Sequence, residues 1–208
     1  MAQRLKPELR SRILDAAREV FADGGYAGAT MAKVASCAGI STGNVYRYFR
    51  NKDELFECVV PDSLRRRFLA LVHDRVAALG RAPAIDAPDA PAESAAEALL
   101  AFFVAHRREA IILLAGADGS CHEGFDALFT DALYEQAEAQ LTAGGARLSP
   151  PERLVLRTVF ENTVRMLAAI LAADDDEARI RAAFAAFWRY QLAGLAGFAE
   201  GVERCTTT

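Results

Sequence analysis

Two short apolar-periodic segments lie back to back near the start of this chain, separated only by the turn Ala38-Gly39-Ile40-Ser41. Thr30 has the position and chemistry of an N-cap for the first, Met31 to Ala38, whose Met31, Val34 and Ala35 share one helical face. Ser41 is a second N-cap candidate and opens barely two turns through Val45 and Phe49. A longer segment, Pro7 to Asp23, precedes them with Ile13, Leu14, Ala17, Val20 and Phe21 on one face, and Gly24 and Gly25 stop it. Helices this short are marginal alone in water. Gly39 ends the first of the two short segments and supplies the turn between them.

The arrangement of a longer helix followed by two short ones is that of a helix-turn-helix reader of double-stranded DNA. Charge supports this reading. Residues 1–52 hold nine Lys or Arg against four Asp or Glu, a net of +5, while the remainder holds fifteen against twenty-four, a net of −9, within a total of −4. Only the front end is expected to meet a polyanion. Hydroxyls and positive charges at the helix starts, Thr30, Ser41, Thr42, Tyr46, Tyr48 and Lys52, are the expected phosphate contacts and fix register. Thr42, Gly43, Asn44 and Arg47 are the expected base readers: Asn pairs bidentately with adenine, and Gly43 admits close backbone approach.

The stretch from Arg10 to Phe56, RSRILDAAREVFADGGYAGATMAKVASCAGISTGNVYRYFRNKDELF, resembles the DNA-binding region of the TetR family of repressors. The resemblance rests on the ILDAA segment, the Phe21–Gly25 helix end, Thr30, the Ala38–Ser41 turn, the Tyr46-x-Tyr48-Phe49 end of the recognition helix and the Lys52-Asp53-Glu54-Leu55 restart. It implies a homodimer of nine or ten helices per subunit, a ligand cavity in the body, and release from a palindromic operator when a small molecule binds. It also implies phosphate contacts at Thr30, Ser41, Thr42, Tyr46, Tyr48 and Lys52 and base contacts around Gly43 and Asn44. Tyr48 departs from the histidine common in the family, although a phenol still donates to phosphate.

Beyond residue 52 the sequence predicts an all-α body, giving about nine helices in total, because alanine is abundant while Val, Ile and Thr are thin. The restart at Asn51-Lys52-Asp53 leads into a long apolar stripe, Leu55, Phe56, Val59, Leu64, Phe68, Leu71 and Val72, interrupted by Pro61; a kinked connecting helix is expected. Residues 80–92 are rich in Pro, Ala and Asp without periodicity and read as a flexible linker. Helices follow at about 93–106, 107–116, 123–143, 150–172 and 175–200. The expected division is 1–52 for DNA binding and 53–208 for regulation and dimerisation.

Candidates for a ligand site in the body are Phe102, Phe103, His106, Phe125, Phe129, Tyr134, Asn162 and Met166, aromatic residues with a few polar groups. The last two helices carry apolar stripes that include Leu156, Phe160, Thr163 and Leu167, then Phe184, Phe187, Gln191 and Leu195. Ala183, Ala186, Gly194 and Gly197 lie on a neighbouring face. A four-helix homodimer interface is expected there.

Catalysis is disfavoured. No HExxH, GxSxG, P-loop or dinucleotide fingerprint is present, and His73, His106 and His122 lack a partnered carboxylate or nucleophile in sequence. No cofactor is expected. Cys37, Cys58, Cys121 and Cys205 form no CxxC pair and read as reduced thiols, and the Asp118–Glu123 turn offers metal-binding residue types without a second cluster. No signal peptide or membrane span is evident, so a cytoplasmic protein without membrane association is expected. The readings left open are a regulator without small-molecule gating and, remotely, an all-helical enzyme or carrier.

Overall fold

The computed structural model describes residues 6–81, 90–142 and 147–206, and its elements are all helical: α1 (Pro7–Gly28), α2 (Met31–Cys37), α3 (Thr42–Tyr46), α4 (Lys52–Val59), α5 (Asp62–Arg81), α6 (Ala90–Ala105), α7 (Arg107–Ala115), α8 (Phe125–Thr142), α9 (Pro150–Ala173) and α10 (Glu177–Thr206). Two compact units result. The first comprises residues up to Arg66 together with His106–Phe125, and the second comprises Arg67–Ala105 with Asp126–Thr208. The first unit thus holds α4, the start of α5 and α7 together with the first three helices.

Helix α1 starts with Pro7 in its first turn and buries Ile13, Ala16, Ala17 and Phe21. It passes through Gly24 and breaks at Gly25, whose φ of 64° lies in the left-handed region. A Cβ on Gly25 would stand 3.4 Å from the Gly116 backbone, and the Tyr26 N–H donates to the Gly116 carbonyl at 2.7 Å. Two glycine backbones therefore join α1 to the end of α7. Arg18 and Glu109 add a partly buried ion pair at 2.8 Å between the same helices. Helix α7 buries five consecutive residues, Ala110 to Leu114, as expected of a helix enclosed by its own unit.

Thr30 caps α2 by accepting from the Lys33 N–H, and Asn51 caps α4 by accepting from the Glu54 N–H. Between them Gly39, at φ 64°, turns the chain from α2 into α3, and the Ile40 N–H returns to the Ala35 carbonyl. The kink expected near Pro61 is a complete break. Lacking an N–H, Pro61 cannot continue α4, and its carbonyl instead accepts from Leu64 and Arg65 at the start of α5. The Val60 carbonyl left at the break bonds to Nε2 of buried His122 at 2.8 Å.

In the second unit, Phe68 packs against Phe102, Phe103 and Phe129 at ring separations of 5.1 to 5.7 Å, and Phe103 stacks on Phe184. A second cluster joins Leu148, Leu156, Phe160 and Val202. Ser149 and Glu152 form a reciprocal capping box at the start of α9. Of the linker expected at 80–92, Gly80 and Arg81 finish α5 and 90–92 open α6, with Ala92 fully buried. Residues 82–89 lie outside the described residues.

Candidate nucleic-acid interface

The orientation of α3 follows from two anchors. Val45 and Phe49, four residues apart, are fully buried, and the Arg10 guanidinium lies 5.2 Å from the Phe49 ring centroid. With that face in the core, Gly43, Tyr46 and Arg47 are left exposed, while Thr42 and Asn44 are half-buried. Tyr46 shows 53% of its surface, unusual for an aromatic side chain in a well-packed unit. Ser41 is exposed and makes no cap hydrogen bond through its side chain. Gly43 has no atom within 4 Å of a built Cβ and no positive φ. Nothing inside the chain therefore requires glycine at this position.

Around α3 the other expected contacts are held in defined ways. The Thr30 hydroxyl oxygen accepts from Lys33 at 3.2 Å, and its O–H remains a donor. The Tyr48 phenol oxygen accepts the Lys6 N–H at 3.0 Å, tying the beginning of α1 to the end of the recognition segment. The Lys52 ammonium is engaged within the chain, where it donates to the Tyr26 carbonyl at 2.8 Å and sits 3.9 Å from that ring's centroid. Tyr26 in turn donates to Asp53, and this bond, with burial and the carboxylate charge, pushes the phenol pKa up to about 12. Lys33 and Arg50 are exposed cations that sequence reasoning passed over. Lys33 closes on the Gly28 carbonyl and Arg50 pairs with Glu54, so their positions are set by neighbouring backbone and charge.

The expected ligand residues are not brought together. Phe102, Phe103 and Phe129 fill the aromatic core around Phe68, whereas Asn162 and Met166 are exposed on α9. His106 and Phe125 belong to the first unit. Tyr134 is half-buried against the Phe160 cluster, with the Arg157 guanidinium 5.7 Å from its ring centroid. The second unit has instead a cleft holding about 690 Å³ of empty space, open mouth included, walled by α5, α8, α9 and α10. Its lining includes Arg75, Gln136, Gln140 and Trp188, none of them anticipated from sequence.

Several residues expected at a dimer interface are buried within the single chain: Leu156, Phe160, Thr163, Leu167, Phe184 and Gln191. Gln191 donates to Thr163 at 2.9 Å, and both line the cleft with Phe160 and Leu195. Phe187 is half-buried beside Trp188. The apolar stripes pack α9 on α10 inside the chain, leaving other residues outward: Leu154, Val155, Met166 and Tyr190 at 68, 49, 47 and 77% exposure, with Ala183, Ala186, Gly194 and Gly197 also exposed. A groove lined by Val159, Tyr190, Ala193 and Gly194 lies on this face. Among the described residues no helix is long and apolar enough to cross a membrane.

Residues 13–59 match the family model described as bacterial regulatory proteins of the tetR family. The HTH-type transcriptional regulator BetI of Burkholderia lata is 42% identical over 69 residues, covering 33% of this chain and 36% of that protein. An HTH-type transcriptional repressor of Mycobacterium tuberculosis is 37% identical over 71 residues, covering 34% and 37%. The chain thus spans about a third of the length of these curated relatives. A solved TetR family transcriptional regulator from Chloroflexus aurantiacus shares the fold across 96% of this chain and 94% of its own, with a TM-score of 0.53 at 19% identity. Over residues 13–59 the chain is similar to the tetR family of bacterial regulatory proteins.

Proposed function

We propose that the protein is a DNA-binding transcriptional regulator, a repressor that grips a palindromic operator through α3 of two subunits and lets go when a small molecule occupies the second unit. The observation that carries this reading is the seating of α3. Val45 and Phe49 hold it rigidly, and the outward face presents Gly43, Tyr46 and Arg47 on the basic part of the chain. Phosphate contacts come from Thr30, Ser41, Thr42, Tyr46 and Tyr48, and base contacts from Gly43, Asn44 and Arg47. Lys52 supports the reader by locking α4 to the end of α1.

Two copies meet through the uncovered face of α9 and α10, where Leu154, Val155, Met166 and Tyr190 stand exposed and the glycines of α10 permit close helix approach. Small-molecule control is favoured by the cleft in the second unit, whose lining is apolar with a few polar side chains, as ligand sites require. Helix α5 lines that cleft with Arg75 and Val76, and its first turn lies in the first unit, so it is the element through which occupancy acts on DNA binding. Binding of the purified protein to the DNA upstream of its own coding region, titrated with salt, tests the reading. Affinity should fall steeply as salt rises and should drop on Tyr46→Ala or Arg47→Ala. Salt-insensitive binding, or none, overturns it.

A further inference from the structure

Among the described residues Arg75 is the one charged residue around the cleft, and none of them gives it a counter-ion. Only 4% of its surface is exposed. Nη1 donates to the Ala92 carbonyl at 2.9 Å, and the guanidinium carbon lies 5.7 Å from the Trp188 ring centroid. Nε is buried with no hydrogen-bond partner among the described residues. Burial lowers the pKa of the group with no carboxylate acting on it, but a guanidinium keeps its proton throughout the working range of proteins. A fixed positive charge thus stands in the wall of a cleft otherwise made of apolar side chains, three glutamines and a threonine.

Burying such a charge unpaired is costly, and fully buried arginines are normally paired. Among the described residues the carbonyl and the ring are its two partners, and they leave an N–H and the charge unanswered. We infer that the cleft takes an amphipathic organic monoanion, a carboxylic acid with an apolar body, whose carboxylate completes the hydrogen bonding of Arg75 while its body displaces water from the apolar walls. A single guanidinium matches one negative charge. A phosphate dianion would bring a second charge into a cleft whose described lining offers no further cation. This inference rests on the reading of the cleft as the ligand site.

Trp188 is the only tryptophan of the chain and lines the cleft, so its emission reports occupancy of the full-length protein. The probes are decanoate, methyl decanoate, decylammonium and decyl phosphate, each below its micelle concentration. Decanoate should shift the emission saturably, and methyl decanoate and decylammonium should bind about tenfold or more weaker, since a charge-assisted bond is lost or opposed. In Arg75→Met, decanoate should lose about tenfold or more while methyl decanoate changes by less than about threefold. Arg75→Lys, which keeps the charge, should fall between.

Without ligand, Arg75→Met should melt about 2–4 °C higher, because an unpaired buried charge is removed. A lower melting point would make Arg75 a structural tie to Ala92 and overturn the inference. So would equal binding of acid and ester, or unchanged decanoate binding by Arg75→Met, either of which leaves the cleft as a ligand site but removes the anion. Tighter binding of decyl phosphate would overturn the carboxylate assignment. If no probe moves Trp188, the ligand-site reading falls with the inference.

Discussion

Replacing Gly43 by alanine should make the protein more stable and a worse DNA binder. Gly43 is exposed, has no positive φ, and a Cβ built on it has nothing within 4 Å. Adding a methyl there costs no packing and reduces the freedom of the unfolded chain, a gain of about 0.4–1 kcal/mol. For a chain of this size that corresponds to a melting point higher by about 1–4 °C. On DNA the sign reverses. If the α3 backbone approaches a base edge or phosphate at Gly43, the methyl holds it off, and the loss should reach about tenfold, or 1.4 kcal/mol. Thermal melting and fluorescence anisotropy on one preparation, at fixed salt, give both numbers. Gly39→Ala, in the turn that leads into α3, is the control: φ of 64° makes a side chain there cost about 1–2 kcal/mol, so it should lower the melting point. A Gly43→Ala protein that binds DNA within about twofold of the parent would refute the claim that this backbone reaches the duplex. A lower melting point would refute the account of α3 packing.

Other substitutions probe the frame that holds the reader. His122→Ala removes the donor to the buried Val60 carbonyl and should cost about 1–3 kcal/mol in denaturant unfolding, with partial recovery in His122→Gln. Tyr26→Phe deletes the bond to Asp53. Because the folded phenol pKa is raised to about 12 against an ordinary value of 10, this stabilisation is complete below pH 10 and disappears as pH rises through about 12, so the parent should lose stability over that window more steeply than Tyr26→Phe. Tyr190→Asp on the exposed face of α10 should shift sedimentation from dimer toward monomer without unfolding the chain, since Tyr190 is 77% exposed.

The front of the molecule was readable because its signals are local. Thr30 and Asn51 cap as their chemistry demands, Gly39 takes the left-handed turn, and the apolar spacing of Val45 and Phe49 fixes which side of α3 faces out. Pro61 was legible as a disturbance. Its outcome was not, because whether a helix kinks or breaks there depends on a partner for the Val60 carbonyl, and His122 is sixty-two residues away. The inclusion of α7 in the first unit rests likewise on Gly25 meeting Gly116, a backbone approach that no single segment encodes.

Aromatic content does not mark the cleft. Phe102, Phe103 and Phe129 are ordinary core, and the cleft is marked instead by polar residues on buried faces. Arg75 did carry a sequence signal: it lies three residues after Val72 and seven after Phe68, on the apolar stripe of α5, where a cation is out of pattern. Apolar stripes on α9 and α10 were similarly visible, but periodicity does not say whether a stripe meets its own chain or a second copy. The outward Leu154, Met166 and Tyr190 became distinguishable from the inward Leu156, Phe160 and Gln191 only with coordinates.

Hydroxyl-radical footprinting of the purified protein on the DNA upstream of its own coding region tests the central claim most directly. Two symmetric protected patches, centred one helical turn (roughly 34–36 Å) or a multiple apart, should appear, weaken with salt, and vanish together in Tyr46→Ala/Arg47→Ala. Protection that persists in that double variant, or that covers one patch without a symmetry mate, would contradict a paired α3 reading the duplex.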